Sequence, residues 1–218
     1  MRVLITAGPT YEPLDPVRFI GNHSTGKMGY ALAETFAAEG CEVLLISGPT
    51  NLPDPSNARI RTVRVQTAQE MYEAAVAEAA SADVWVFAAA VADYRPAQVA
   101  EQKIKKAGET LTLELVKNVD IAAELGKTKR PEQFSVGFAL ETENEHAHAL
   151  GKLQRKNFDM VVLNSLRDAG AGFRHDTNKV TVLDADGRIT NFELKAKTDV
   201  ARDIVRSVLA RRLPQAHA

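Results

Sequence analysis

The chain has 218 residues, 45% of them hydrophobic and 25% charged, and its 27 basic and 28 acidic side chains leave a formal net charge of −1. That balance excludes a global attraction to nucleic acid or to a membrane surface, and no apolar run approaches the roughly 20 residues of a membrane span. Cys41 is the single cysteine, which excludes a disulfide framework and a thiolate zinc cluster.

The apolar content suffices for one core, and residues 1–218 are read as a single domain. Met1-Arg2 leads straight into a strand-like run, so no signal peptide and a cytoplasmic setting are expected. Val3 to Ala7 reads as a strand. A loop punctuated by Pro9, Pro13 and Pro16 follows, and then Gly21-Asn22-His23-Ser24-Thr25-Gly26-Lys27-Met28-Gly29. Met28, Leu32 and Phe36 recur every fourth residue, which predicts a helix over 25–39 closed by Gly40. Strands are expected at 42–47 and 62–65, and Thr67 caps a helix over 68–80. Val84 to Ala90 is a continuous apolar run, the pattern of a parallel strand buried on both faces.

In the second half, Leu111 to Leu115 alternates with period two. Asn118-Val119-Asp120 starts a helix reaching about residue 126, capped by Asp120 or Asn118. Strands at 134–138 and 160–163 flank a helix over 143–156. Val180–Leu183 and Ile189–Phe192 flank Asp184-Ala185-Asp186-Gly187, a hairpin turn signal. Val200, Ile204, Val205 and Val208 stripe a last helix, and the tail from Gln215 to Ala218 is expected to fray. Alternation of this kind predicts an α/β fold: a doubly wound, mostly parallel Rossmann-like sheet with helices on both faces. An additional β-hairpin region at 178–193 has strands apolar enough to pair with a partner.

Four constellations carry chemistry. In the first, Gly21, Gly26 and Lys27 have Walker A spacing, but Met28 stands where that motif needs a hydroxyl for magnesium, so a P-loop NTPase is not expected. Glycines before a helix start still offer backbone N–H groups to an anion. Asn22 adds a planar amide that can both donate and accept. The second is Ala88 to Pro96 at the carboxyl end of the buried strand, where open α/β sheets bind ligands. Small residues there can admit a base or sugar, and Asp93 offers an acceptor. The third is Lys103-Ile104-Lys105-Lys106 in a long inter-strand loop, which suits a lid over phosphates or, equally, a solvated charge run. The fourth pairs Lys152 with Lys156, four apart on one helix face, either for one anion or for solubility. His146 and His148, two apart, point to different helix faces and do not suit a shared metal. Cys41 reads as packing, and the absence of a glycine fingerprint after the first strand weakens a nicotinamide or flavin reading.

Taken in order, Gly8-Pro9-Thr10, Glu12 to Arg18, Asn22-His23-Ser24, Gly26 to Gly29, Ala89, Val91 to Arg95, Lys103 to Lys106, Lys117-Asn118, Gly137-Phe138-Ala139 and Glu141-Thr142 resemble the phosphopantothenoylcysteine synthetase family of coenzyme A biosynthesis. The resemblance implies a ligase that joins 4′-phosphopantothenate to L-cysteine through an acyl-cytidylate. CTP with Mg2+ would be consumed, and pyrophosphate and CMP released. It implies Asn22 and Lys103 as catalytic residues. Phe87, Ala88, Ala89, Asp93, Lys103, Asn118, Val119, Asp120, Ile121, Phe138, Lys152 and Lys156 would contact the nucleotide. Gly21, Asn22 and Arg18 would bind substrate. Val119 stands where the family often has proline. A homodimer and a separate or fused flavin-dependent decarboxylase are the implied partners, with no nucleic acid and no membrane. The alternatives are an ATP-dependent version of the same ligase and a non-catalytic nucleotide-binding α/β module.

Overall fold

The computed structural model describes residues 1–106, 108–141, 144–165 and 176–212. Strand β1 (Arg2–Ala7) is followed by a short antiparallel ribbon, β2 (Tyr11–Pro13) with β3 (Phe19–Gly21), and then by α1 (Lys27–Ala38). Strands β4 (Glu42–Ser47) and β5 (Ile60–Arg64), helix α2 (Ala68–Ala79) and strand β6 (Val84–Phe87) complete the first half. A second ribbon pairs β7 (Tyr94–Pro96) with β8 (Leu115–Lys117). Next come α3 (Ile121–Thr128), β9 (Phe134–Glu141), α4 (Glu145–Arg155) and β10 (Met160–Ser165). The described chain closes with β11 (Thr177–Asn178), β12 (Val180–Asp184), β13 (Ile189–Asn191), β14 (Lys195–Ala196) and α5 (Lys197–Arg212).

The main sheet has the order β13-β12-β10-β9-β6-β1-β4-β5. The six strands from β5 to β10 pair in parallel. Their order is that of a Rossmann sheet, with its reversal between β1 and β6. The β12–β13 hairpin extends the far edge in antiparallel pairing, turning at Gly187 with φ 87°. Successive side chains of β1 serve opposite faces, as the strand period requires. Val3, Ile5 and Ala7 join Leu32 and Phe36 of α1 and Val200 and Ile204 of α5 in one core layer. Leu4 faces the other way, with Met71 of α2, Leu125 of α3, and Ala149 and Leu153 of α4. A fully buried side chain such as Phe36 contributes about 1.5–3 kcal/mol by leaving water.

The expected doubly wound fold is therefore present, with several local differences. β6 ends at Phe87, but the apolar run continues beside the extension of β1: Ala88 N–H donates to the Thr6 carbonyl, and Ala90 forms a parallel bridge with Pro9. Only Leu115 of the alternating run 111–115 is in a strand. The two ribbons and the β11–β14 pair carry strands of two or three residues, too short for a periodic signal. Thr67 caps α2 in a full capping box with Glu70, and the buried Glu12 carboxylate accepts the Ala68 N–H at 2.9 Å. Asp120, not Asn118, caps α3. The frayed tail expected from Gln215 lies outside the described residues, as does the first residue of the helix expected from 143.

Gly29 has a packing reason. A Cβ there would lie 2.4 Å from the Ala7 Cβ, so its absence lets the first turn of α1 sit directly on the end of β1. Alanine would gain up to about 1 kcal/mol of helix propensity, but that clash falls on backbone-anchored atoms. Gly29→Ala should therefore destabilise the fold by a net ~1–3 kcal/mol, read from the urea midpoint. A midpoint at or above wild type would refute this account of the α1–β1 contact.

Candidate functional site

A cavity of about 440 Å³ opens at the carboxyl ends of the parallel strands, across the point where strand order reverses. Ligands bind at that place in open α/β sheets, and its size is that of a small-molecule site. Thr6 of β1, Phe87 of β6, Phe138 of β9 and Asn164 of β10 form its floor, with the starts of α1, α3 and α5 around it. The Phe87 and Phe158 rings lie 5.7 Å apart beneath it. Gly137 has no side chain because a Cβ would enter the Phe158 ring.

One rim is the α1 start. Gly26 precedes the helix with φ 78°, a conformation that favours glycine, and no side chain caps the helix. The opposite rim is the segment from Ala88 to Asp93, whose backbone is tied on two sides. Ala90 N–H donates to the Gly8 carbonyl at 2.8 Å, and Ala92 N–H donates to Thr10 Oγ1 at 3.0 Å. From the other side, Asn118 Nδ2 donates to the Ala92 carbonyl at 2.8 Å, and Asn118 N–H to the Asp93 carbonyl at 2.8 Å. Arg95 Nη1 donates to Asn118 Oδ1 at 3.1 Å and holds that amide in place. Asn22 closes the rim: its Nδ2 donates to the carbonyls of Ala90 (3.0 Å) and Val91 (3.2 Å).

The cavity brings together most of the residues singled out in the sequence. Asn22, Phe87, Ala88, Ala89, Asp93, Asn118, Val119, Asp120, Ile121, Phe138, Lys152 and Lys156 all line it. Lys156 Nζ lies 3.0 Å from Asp120 Oδ1, which joins the end of α4 to the start of α3. Lys152 and Lys156 thus share the wall that their spacing suggested. Gly21, Arg18 and Lys103 do not line the cavity. Gly21 lies in β3, where a Cβ would meet the Tyr11 ring at 2.7 Å; its absence accommodates the Tyr11–Phe19 stack. Lys103 is exposed on its loop. Cys41 is buried, and burial pushes its thiol pKa up, in keeping with packing. Thr142 of the sequence motif and Ala107 of the lysine-bearing loop lie outside the described residues.

Arg18 is engaged with Asp15. The Asp15 carboxylate accepts from Arg18 Nε at 2.9 Å and from Arg18 Nη2. It also accepts from the N–H groups of Val17 and Arg18, each at 2.8 Å, and of Ile104 at 3.1 Å. Arg18 Nη2 in turn donates to the Ile104 carbonyl at 3.0 Å. This clamp anchors the residue next to Lys103. The Arg18 guanidinium holds the Asp15 carboxyl well below the usual carboxylate range, helped by the backbone donors and opposed by burial.

Asn164, Asn178 and Lys197 also line the cavity and were not singled out from the sequence. Asn164 has a weak signal in hindsight, as the first polar residue after Val161-Val162-Leu163. Lys197 and Asn178 carry none, because their neighbours are ordinary polar and apolar residues.

A family model described as DFP, the DNA/pantothenate metabolism flavoprotein C-terminal domain, matches residues 1–211. The chain is 51% identical over 208 residues to a protein named cysteine/cysteine sulfinic acid decarboxylase from an unidentified prokaryote, covering 95% of this chain and 58% of that one. It is 44% identical over 211 residues to the coenzyme A biosynthesis bifunctional protein CoaBC of Haemophilus influenzae, covering 97% and 52%. The chain thus spans little more than half the length of these curated relatives. Among solved structures, the C-terminal domain of a CoaBC protein matches with a TM-score of 0.81 at 43% identity over 96% of both chains. A Cab2 mutant solved in complex with phosphopantothenate-cysteine shares the fold, with a TM-score of 0.75 at 20% identity over 97% of this chain and 86% of that one.

The Asp15 clamp makes two linked expectations. Because its folded pKa is below the unfolded value of about 3.9, its stabilisation is complete well above that value. It is lost progressively as pH falls below about 4 toward the folded pKa. Asp15→Asn should remove this acid dependence and speed tryptic cleavage after Lys103, Lys105 and Lys106 several-fold while the sheet stays folded. Unchanged cleavage at those sites would show that the clamp does not hold the loop.

Proposed function

The chain belongs to the family of the DNA/pantothenate metabolism flavoprotein C-terminal domain, and from that premise we propose that it is a ligase of coenzyme A biosynthesis joining 4′-phosphopantothenate to L-cysteine. The observation that carries this reading is the cavity at the strand-order reversal, where cationic side chains come from both helical layers. Lys27 enters from the α1 side and Lys152 and Lys156 from the α4 side. A carboxylate that must attack a triphosphate brings anion to anion, and such a site offsets the repulsion.

In the proposed reaction, a carboxylate oxygen of 4′-phosphopantothenate attacks the α-phosphorus of CTP, and the bond to the β-phosphate oxygen breaks to release pyrophosphate. The cysteine amine then attacks the acyl carbon, loses a proton and displaces CMP. The nucleoside lies against Phe87, Ala88 and Ala89, with Asp93 and the Asn118–Ile121 segment completing its pocket. Asn22 holds the carboxylate and then the acyl oxygen. In the structure its Nδ2 already donates to the carbonyls of Ala90 and Val91. Contact with the acyl group therefore exchanges one of those bonds for a substrate oxygen. Lys103 approaches the transferring phosphate from its anchored loop and offsets charge there. Mg2+ accompanies the nucleotide.

A homodimer fits this reading. Val17 before β3, Phe19 within it, and Tyr94 and Leu115 of the second ribbon are large apolar side chains left exposed on this chain. No helix of the described residues is long and apolar enough to cross a membrane.

The test is pyrophosphate release from CTP or ATP with 4′-phosphopantothenate and Mg2+, with and without cysteine. The expected result is release with CTP, and amide plus CMP only when cysteine is present. Release with ATP alone would move the reading to the ATP-dependent ligase. Saturable nucleotide binding without release would favour a nucleotide-binding module. Carbon dioxide from cysteine alone would favour the activity named for the 51% identical relative. Within the ligase, Lys103→Gln should slow acyl-nucleotide formation by ~10²–10³ with the melting curve unchanged. A wild-type single-turnover rate would remove Lys103 from the first step.

A further inference from the structure

Lys197 is the first residue of α5, it is only 8% exposed, and it lines the cavity. A lysine buried to this degree is uncommon. It belongs to the α1/α5 layer, opposite the Lys152 and Lys156 wall. Its N–H donates to the Asp176 carbonyl at 2.9 Å, which fixes the helix start. Burial, then the nearby Lys27 ammonium, push the Lys197 pKa down, and the Asp176 carboxylate opposes them. Asp176 Oδ1 is itself 2.5 Å from Lys27 Nζ. The Asp176 carboxylate thus lies near both ammonium groups. Beside them the α1 start, without a side-chain cap, adds its own partial positive charge.

We propose that Lys197, together with Lys27, holds the β- and γ-phosphates of the nucleotide from the α1/α5 side. This rests on the ligase reading above. The chemistry suits the step. When the carboxylate oxygen bonds to the α-phosphorus, the electron pair of the breaking bond goes to the bridging oxygen of the departing pyrophosphate. A fixed ammonium stabilises charge that grows there, and no proton need be transferred. A polyphosphate is favoured over the single phosphate of the acid substrate because the site combines two cations with a helix start that no side chain caps.

The experiment is calorimetric titration of CTP, CMP, inorganic pyrophosphate and 4′-phosphopantothenate, each with Mg2+, into the full chain as wild type, Lys197→Met and Lys197→Arg. Lys197→Met should weaken CTP and pyrophosphate about 10- to 100-fold and leave CMP and 4′-phosphopantothenate within about twofold. Lys197→Arg should retain most of the CTP affinity. Equal losses for CTP and CMP, a loss confined to 4′-phosphopantothenate, or unchanged CTP affinity in a folded Lys197→Met protein would each overturn the assignment. Where Lys197→Met does not melt cooperatively, Lys27→Met, at a half-exposed position, decides: retained pyrophosphate affinity overturns it. A wild type that consumes CTP while these variants keep their affinities defeats this inference alone. A wild type that binds neither CTP nor ATP defeats the ligase reading as well.

Discussion

Strand β1 pairs in parallel with β4 on one side and with β6 on the other, and the site depends on that double pairing. Parallel neighbours require crossovers, and crossovers are right-handed. The chain therefore leaves β1 through α1 toward β4 on one face and returns through α2 to β6 on the other face. Helices that follow neighbouring strands then diverge at the carboxyl edge, and the cavity lies between them. Gly29 adds the local condition, since any side chain there would push α1 off the end of β1.

A crevice made by diverging loops needs ties, and the polar residues near it supply them. Thr10 and Asn118 hold the Ala88–Asp93 segment from opposite sides, and Asn22 secures it from above. Each tie gives a side-chain hydrogen bond to a backbone group at the end of the sheet. Buried backbone polar groups require such partners. Asp15 does the same for the loop at Ile104, with Arg18 completing the clamp. The ordered run of residues that carries the family resemblance is thus as much a record of loop construction as of ligand contact.

The parallel half of the fold was legible because its signals are local and repeated. Leu32 and Phe36 mark the buried stripe of α1, Gly40 closes it with φ 82°, and Thr67 with Glu70 caps α2. The apolar run was legible to its end, since Ala88 to Ala90 continue the parallel pairing past β6 through the Ala90–Pro9 bridge. The ribbons were illegible because strands of three residues complete no period. At the site, the glycine-rich helix start and the Ala88–Asp93 exit could be read from spacing. Asn164, Asn178 and Lys197 reach the cavity only through topology. Single polar residues at the ends of distant elements have no pattern until the sheet order brings them together.

Charge shows the same division between chain and fold. The sequence is nearly neutral, yet the cavity wall carries Lys27, Lys117, Lys152, Lys156 and Lys197 against Asp93 and Asp120. The fold segregates charge that the composition balances. Two unit charges 4 Å apart interact by about 4 kcal/mol at an effective dielectric of about 20, against about 1 kcal/mol in bulk water. Lysines spread over the surface would therefore act weakly on any one anion, whereas the same lysines at the end of a low-dielectric sheet focus their field on one crevice. Because they come from both helical layers, that field grips an anion from two sides.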